Sequence, residues 1–258
     1  MPILFRPVPC SALAANPPDP APVNKDRDAM RIAAWSGPRN LSTAMMYAFA
    51  QRADCDVRDE PFYAAYLSRT GLDHPMREAV LASQPRDAAQ VPEGFSGTPH
   101  LYLKLMAHHA LAGFPMDWAE GARHLHLIRH PARVIASYGV KRAEMTLEDI
   151  GFPQQAALFE RFGGTVLDSV TIRADPEAAL RALCAALELP FDPAMLSWPS
   201  GGCDRDGAWA PHWYGAVHGS TGFADPEGPL PVLEGAARDL CEAALPYYEA
   251  LEAHRLRP

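Results

Sequence analysis

Residues 31–51 constrain this chain more than any other stretch. A short apolar run, Arg31-Ile32-Ala33-Ala34-Trp35, gives way to Ser36-Gly37-Pro38-Arg39-Asn40-Leu41-Ser42-Thr43, and then to apolar residues at Met45, Met46, Phe49 and Ala50, a helical spacing. A strand thus ends in a tight polar turn that leads straight into a helix N-terminus, which Ser42 or Thr43 is placed to cap. Unpaired backbone N–H groups and the positive end of the helix dipole favour an anion at such a junction. Arg39 adds a full positive charge and a planar fork of donors that suits a tetrahedral oxyanion. The stretch predicts a phosphorylated or sulfated ligand and leaves its kind open.

The rest of the chain supplies the sheet such a junction needs. A second short strand around Val57 ends in Asp59-Glu60-Pro61, which places two acids at a strand's C-terminal end, the edge where ligands bind in open α/β sheets. Residues 62–68 and 75–83 read as helices, and 84–99, dense in Pro and Gly, as a surface loop. Residues 101–106 form a third strand, followed at once by His108-His109. Residues 123–128 form a fourth strand, with Leu125 and Leu127 on one face and His124 and His126 on the other. It runs into Arg129-His130-Pro131, where Pro131 is set for the first turn of a helix over 132–138. Residues 166–172 read as a fifth strand, and Asp175-Pro176 opens a helix with Asp as N-cap and Pro at N1. The β-α alternation implies a mostly parallel sheet with helices on both faces. Residues 198–223 form a long loop rich in Gly, Trp and His, of the kind that serves as a lid or binding loop. Residues 232–255 read as a helix broken or kinked at Pro246.

Composition narrows the partners. At 258 residues the chain can bury a full core as one domain, expected over 30–258. Residues 1–29, with Pro17, Pro18, Pro20 and Pro22 and no hydrophobic period, read as a flexible tail, and Met30 is a candidate translation start. Ala12-Leu13-Ala14 resembles a leader cleavage site, but Arg6, Pro7 and Pro9 break the apolar run a leader requires. A net charge of −8 argues against binding nucleic acid through a broad basic surface. Apolar runs of about 18 residues are missing, so no membrane span is expected. Five cysteines, scattered and without a C-x-x-C pair, suggest neither a disulfide framework nor a zinc knuckle and fit a cytoplasmic compartment. His124 and His126 have no third ligand near in sequence, so no metal site is expected.

The first loop is not a Walker A motif, because the second glycine and the lysine of G-x-x-x-x-G-K-[ST] are both missing. An apolar strand ending in an Asp that would hold magnesium in the usual P-loop NTPase manner is not found, since strand four ends in Arg129. What remains is one cationic loop at 36–43 and a second at 129–138, each opening a helix.

On these two motifs the chain resembles the sulfotransferases that use 3′-phosphoadenosine 5′-phosphosulfate (PAPS), a bacterial-type small-molecule branch more than the animal cytosolic enzymes. Their first motif typically reads Pro-Lys-Ser-Gly-Thr-Thr, which Pro38-Arg39-Asn40-Leu41-Ser42-Thr43 is similar to, with Arg39 in the lysine's place. Their second is an Arg at a strand end with a Ser eight positions on, as Arg129 and Ser137 are spaced here. The resemblance implies an α/β P-loop NTPase-like three-layer fold with a mostly parallel central sheet. It implies that the 36–43 loop, through Ser36, Gly37, Pro38, Arg39, Asn40, Leu41, Ser42 and Thr43, holds the 5′-phosphosulfate, and that Arg129 and Ser137 hold the 3′-phosphate. The implied reaction moves a sulfuryl group to a hydroxyl of a small molecule without a metal.

The sequence departs from the family at named points. Leu41 stands where the motif has glycine, so the loop is expected to follow a different backbone path if that glycine takes a positive φ. Ala44 replaces the tryptophan that often follows, and the late Arg-Lys-Gly element is not evident, although the 201–209 loop offers Arg205. Two candidates stand for the base that takes the acceptor's proton. Glu60 sits where bacterial and carbohydrate relatives often carry a catalytic Glu, and His108 or His109 follows the Lys104-bearing strand much as the animal enzymes' His follows their Lys. Arg39 would relieve charge on the leaving phosphate, and Trp209, Trp213 and Tyr214 would wall the acceptor pocket. A small-molecule kinase using ATP and magnesium, and a non-catalytic nucleotide- or partner-binding module of the same fold, are the competing readings.

Overall fold

A computed structural model describes residues 29–96, 100–140 and 145–258. The tail expected over 1–29 lies outside the described residues but for Ala29. Five strands, β1 (Met30–Ser36), β2 (Cys55–Asp59), β3 (His100–Met106), β4 (Arg123–Ile128) and β5 (Thr165–Asp168), form one sheet in the order β2-β3-β1-β4-β5. All four pairings are parallel, so the sheet is wholly rather than mostly so. Alternating side chains divide the core into two layers. Ile32, Ala34, Tyr102, Leu125 and Leu127 pack on one face, against Met45 and Phe49 of helix α1 (Ser42–Ala50). Ala33, Trp35, Leu101, Leu103 and Leu105 pack on the other, with Phe62, Trp118 and Leu158. Each such fully buried large side chain contributes about 1.5–3 kcal/mol.

The remaining helices are α2 (Tyr63–Thr70), α3 (Arg77–Ser83), α4 (Pro131–Gly139), α5 (Leu147–Ile150), α6 (Phe152–Phe162), α7 (Ser169–Ala174), α8 (Pro176–Ala186), α9 (Ala210–Trp213), α10 (Gly215–His218) and α11 (Gly235–Glu252). Local signals account for many boundaries. Pro131 opens α4, and the carboxylate of Asp175 accepts from the Ala178 N–H ahead of Pro176 in α8.

Four expectations change. The fifth strand stops at Asp168, whose carboxylate caps α7 through the Val170 N–H, so β-branched residues 170–172 are helical. The 84–96 segment is not merely a surface loop, because Ala88, Val91 and Phe95 are buried in the second core layer. The 198–223 segment holds two short helices, α9 and α10. Helix α11 passes through Pro246 uninterrupted.

Strand order positions the site. Helix α1 carries the chain from β1 toward β2, whereas the chain leaving β4 goes to β5 on the other side, so β1 and β4 are adjacent strands whose C-terminal ends diverge. That is the topological switch point of an open sheet, where ligands bind. No helix among the described residues is long and apolar enough to cross a membrane.

Candidate active site

The loop after β1 takes a path that glycine normally takes, without glycine. Arg39 has φ 64° and Leu41 φ 60°, both in the left-handed region, and Leu41 stands at the N-cap of α1. Leu41 thus adopts the left-handed conformation that the sequence reading reserved for glycine, at a cost of roughly 1–2 kcal/mol. Partial packing of Leu41 against the first core layer offsets this. Neither Ser42 nor Thr43 caps the helix, because the cap position falls on Leu41 and, among the described residues, no side chain bonds the first amides. The N-terminal donors of α1 therefore remain available to a ligand. Gly37 is required for a different reason: a Cβ there would lie 2.5 Å from the Ile150 carbonyl oxygen.

The two cationic loops are joined. Arg39 Nε donates to Ser137 Oγ at 2.8 Å, and Arg129 Nη1 donates to the Arg39 carbonyl at 2.9 Å. Asn40 Nδ2 bonds the Leu127 carbonyl at 3.1 Å and ties the first loop to β4. Among the described residues no carboxylate pairs with Arg39, whose pKa is lowered by burial and by the neighbouring Arg129. A half-buried guanidinium with no carboxylate partner, beside helix amides that no described side chain bonds, fits a polyanionic ligand.

Opposite this loop lies a buried polar quartet. Lys104, a charge inside an otherwise apolar strand, is 1% exposed, and its Nζ reaches Asp59 Oδ1 at 2.8 Å, Glu60 Oε1 at 2.5 Å and Tyr214 OH at 2.5 Å. Tyr214 OH also accepts from Trp209 Nε1 at 2.9 Å and lies 2.8 Å from Asp59 Oδ2, while the Gly207 N–H donates to Asp59 Oδ2 at 3.0 Å. These bonds bolt the 201–214 segment to the end of β2. Glu60 is held at φ 41°, its N–H bonded to the Lys104 carbonyl at 2.9 Å. Burial raises its pKa; Lys104 pulls it down and Asp59 pushes it up again. A carboxylate raised in this way is a stronger base than an exposed one.

One cavity of about 270 Å³ is lined by Pro38, Arg39, Asn40, Leu41, Ser42, Thr43, Glu60, Lys104, His108, His109, Arg129, Trp213 and Tyr214, together with Tyr63, His74, Tyr138 and Val217. Most of the residues singled out from sequence thus meet in one place. Ser36, Gly37, Ser137 and Trp209 do not line it. Ser36 is buried with its Oγ 3.8 Å from Met106 Sδ, Ser137 supports Arg39, and Trp209 is core, packed 5.1 Å from Tyr63. Arg205 is also absent from the lining, being paired with Asp56 at 3.0 Å. His109 stacks between Tyr63 and Tyr66, each 4.6 Å away, and burial drives its pKa well down, which makes it a weak base. His124 and His126 bond the Ala119 and Gly163 carbonyls, and burial holds His126 at about 4. No cluster of three or more metal-ligating side chains occurs among the described residues.

Residues 30–255 match the model of the family described as "Sulfotransferase domain". The chain belongs to the sulfotransferase domain family. Two curated relatives in Arabidopsis thaliana carry the names branched-chain-amino-acid aminotransferase-like protein 1 and protein 2. They are 37% and 36% identical over 232 residues, covering 86% of this chain but only 42% and 41% of their own lengths. The chain therefore spans less than half of these relatives. Among solved structures, a sulfotransferase from Alicyclobacillus acidocaldarius aligns with TM-score 0.51 at 14% identity, over 88% of this chain and 96% of that one, a likeness of fold.

Sequence reasoning passed over Asp59 as part of the quartet, and over Tyr138 and Tyr63 on the cavity wall. Lys104 carried a signal, a charge in the middle of Leu-Tyr-Leu-Lys-Leu-Met. Glu227, whose side chain is 1% exposed and reaches Arg129 at 2.6 Å, carried none.

Proposed function

We propose that this sulfotransferase-family chain transfers a sulfuryl group from PAPS to a hydroxyl of a small-molecule acceptor, without a metal, within a catalytic unit spanning residues 30–258. The observation that carries the reading is the joining of two cationic loops, Arg39 to Ser137 and Arg129 to the Arg39 carbonyl, on the same cavity as Glu60. A donor with phosphate groups at both its 5′ and 3′ ends needs two anion sites with a fixed separation, and a nucleoside triphosphate needs only one.

In this reading the amides of α1 with Arg39 hold the 5′ end, and the second loop holds the 3′-phosphate. The acceptor hydroxyl gives its proton to the Glu60 carboxylate as its oxygen bonds to sulfur. The bond from sulfur to the 5′-phosphate oxygen breaks, and the electron pair leaves with the phosphate, where Arg39 offsets the growing charge. Lys104 and Tyr214 fix the Glu60 carboxylate, and Lys104 opposes the rise in pKa that burial imposes on it. His108, on the same wall, is the second candidate for the base. Tyr63, Tyr138 and Trp213 favour an acceptor with an apolar or ring-bearing body. We place the enzyme in the cytoplasm, acting on a small molecule and not on nucleic acid or a membrane.

The test is an acceptor screen with labelled donor in EDTA. Label transfer that is lost in Glu60→Gln supports the reading. A requirement for ATP and magnesium would turn it toward the kinase, and donor binding without transfer to any acceptor toward a binding module.

A further inference from the structure

The second cationic loop already holds an anion supplied by the protein itself. Glu227 Oε1 lies 2.6 Å from Arg129 Nη2 and 3.2 Å from Arg173 Nη1, and Glu227 Oε2 lies 2.8 Å from Arg133 Nε. Its side chain is 1% exposed, although residues 224–226 and 228–230 around it are all exposed. A surface segment thus turns a single side chain inward, onto three arginines. Two further bonds strap that segment down: Arg173 Nε donates to the Asp225 carbonyl at 2.6 Å, and Arg133 Nη2 donates to the Gly228 carbonyl. The strap also borders the cavity, through Gly222 and Ala224. At about 270 Å³ that cavity falls just below the ~300–1,000 Å³ usual for ligand pockets.

The charge balance favours exchange. Three guanidiniums face Glu227, and among the described residues Asp168, whose carboxylate bonds Tyr248 OH and the Val170 N–H, is an acid near it. The group keeps a positive excess even with Glu227 in place, and a phosphomonoester brings more charge and more acceptor oxygens than a carboxylate does.

We propose that Glu227 is a built-in competitor that occupies the Arg129–Arg133–Arg173 group until the donor's 3′-phosphate displaces it, so that residues 224–228 swing outward when the donor binds. This rests on the donor reading given above and adds Arg133 and Arg173 to the 3′-phosphate site. A ligand lacking the 3′-phosphate leaves the strap closed. The strap thereby discriminates between donor-type nucleotides and plain 5′-nucleotides, at the expense of affinity.

Calorimetry with adenosine 3′,5′-bisphosphate and with adenosine 5′-monophosphate, on the wild type and Glu227→Gln, tests this alongside limited proteolysis of the wild type by a glutamate-specific protease. Glu227→Gln is expected to bind the bisphosphate at least about tenfold tighter, because the competing closed state no longer taxes affinity, with its monophosphate affinity unchanged. The bisphosphate, and not the monophosphate, is expected to speed cleavage after Glu227 in the wild type, because release exposes a side chain that the closed strap buries. Equal or weaker bisphosphate binding by the variant, equal tightening for both ligands, or cleavage after Glu227 that the bisphosphate leaves unchanged would each overturn the inference and leave the donor reading standing. Failure of both proteins to bind the bisphosphate would overturn the two together. If Glu227→Gln does not fold, the proteolysis of the wild type decides alone.

Discussion

At the β1–α1 junction Arg39 faces the cavity with no carboxylate partner among the described residues, held by a single neutral bond to Ser137. At the β4–α4 junction Arg129 is engaged by the Arg39 carbonyl and by Glu227, which Arg133 and Arg173 share. Both are strand–turn–helix elements with an arginine at the turn, and in sequence they look like copies. Folding separates them into an open cationic turn and one paired with a carboxylate. The first stores unfavourable electrostatics and backbone strain, with Arg39 and Leu41 both at positive φ. The second is partly compensated by a buried carboxylate, and that pairing contributes to stability. Substitutions at the two should therefore divide: the first should affect chemistry more than folding, the second folding as well as binding.

The largest effect is expected across the cavity from both loops. Glu60→Gln should reduce sulfuryl transfer about 10²–10⁴-fold, the range for a lost general base, read as kcat at saturating acceptor. The wild-type rate should rise with pH as Glu60 loses its proton, with the ascending limb above the ordinary carboxylate range because burial raises that group. The variant should lack that limb. A wild-type limb in the ordinary carboxylate range, or one that persists in the variant, would move the role to His108.

Arg39→Ala comes next, with an expected loss of about 10²–10³-fold in kcat, as for removal of one donor to a developing oxyanion, and a melting temperature unchanged or raised. Arg129→Ala should instead lower stability by about 1–3 kcal/mol in urea unfolding, because it removes one partner of a buried carboxylate. Equal destabilisation by the two substitutions would erase the contrast between the junctions.

The smallest effect is expected at Leu41. Leu41→Gly relieves the left-handed strain but loses partial burial, so stability should change by less than about 1 kcal/mol. Leu41→Val, β-branched at a positive φ, should be clearly worse. Chemical denaturation of the pair separates strain from packing.

What could be read in the sequence was what short-range chemistry decides. Strand β4 falls on residues 123–128 as its alternation suggests, and Pro131 and Asp175-Pro176 open helices because their constraints are local. Residues 170–172 misled because β-branching suggests a strand, whereas the cap at Asp168 acts two residues earlier. The cavity residues Arg39, Glu60 and Arg129 were legible as motif or strand-end residues, and Tyr214 as an aromatic of the long loop. The partners that set their chemistry were not. Lys104 meets Glu60 across 44 positions and Glu227 meets Arg129 across 98, separations that no window of sequence contains.

The most direct measurement is titration of adenosine 3′,5′-bisphosphate in EDTA into wild type, Arg39→Ala and Arg129→Ala, set beside magnesium-ATP. If the two loops form one donor site, the wild type binds the bisphosphate without metal and each substitution weakens that binding. A wild type that binds only magnesium-ATP, or an Arg129→Ala protein that binds the bisphosphate as tightly as the wild type, would contradict it.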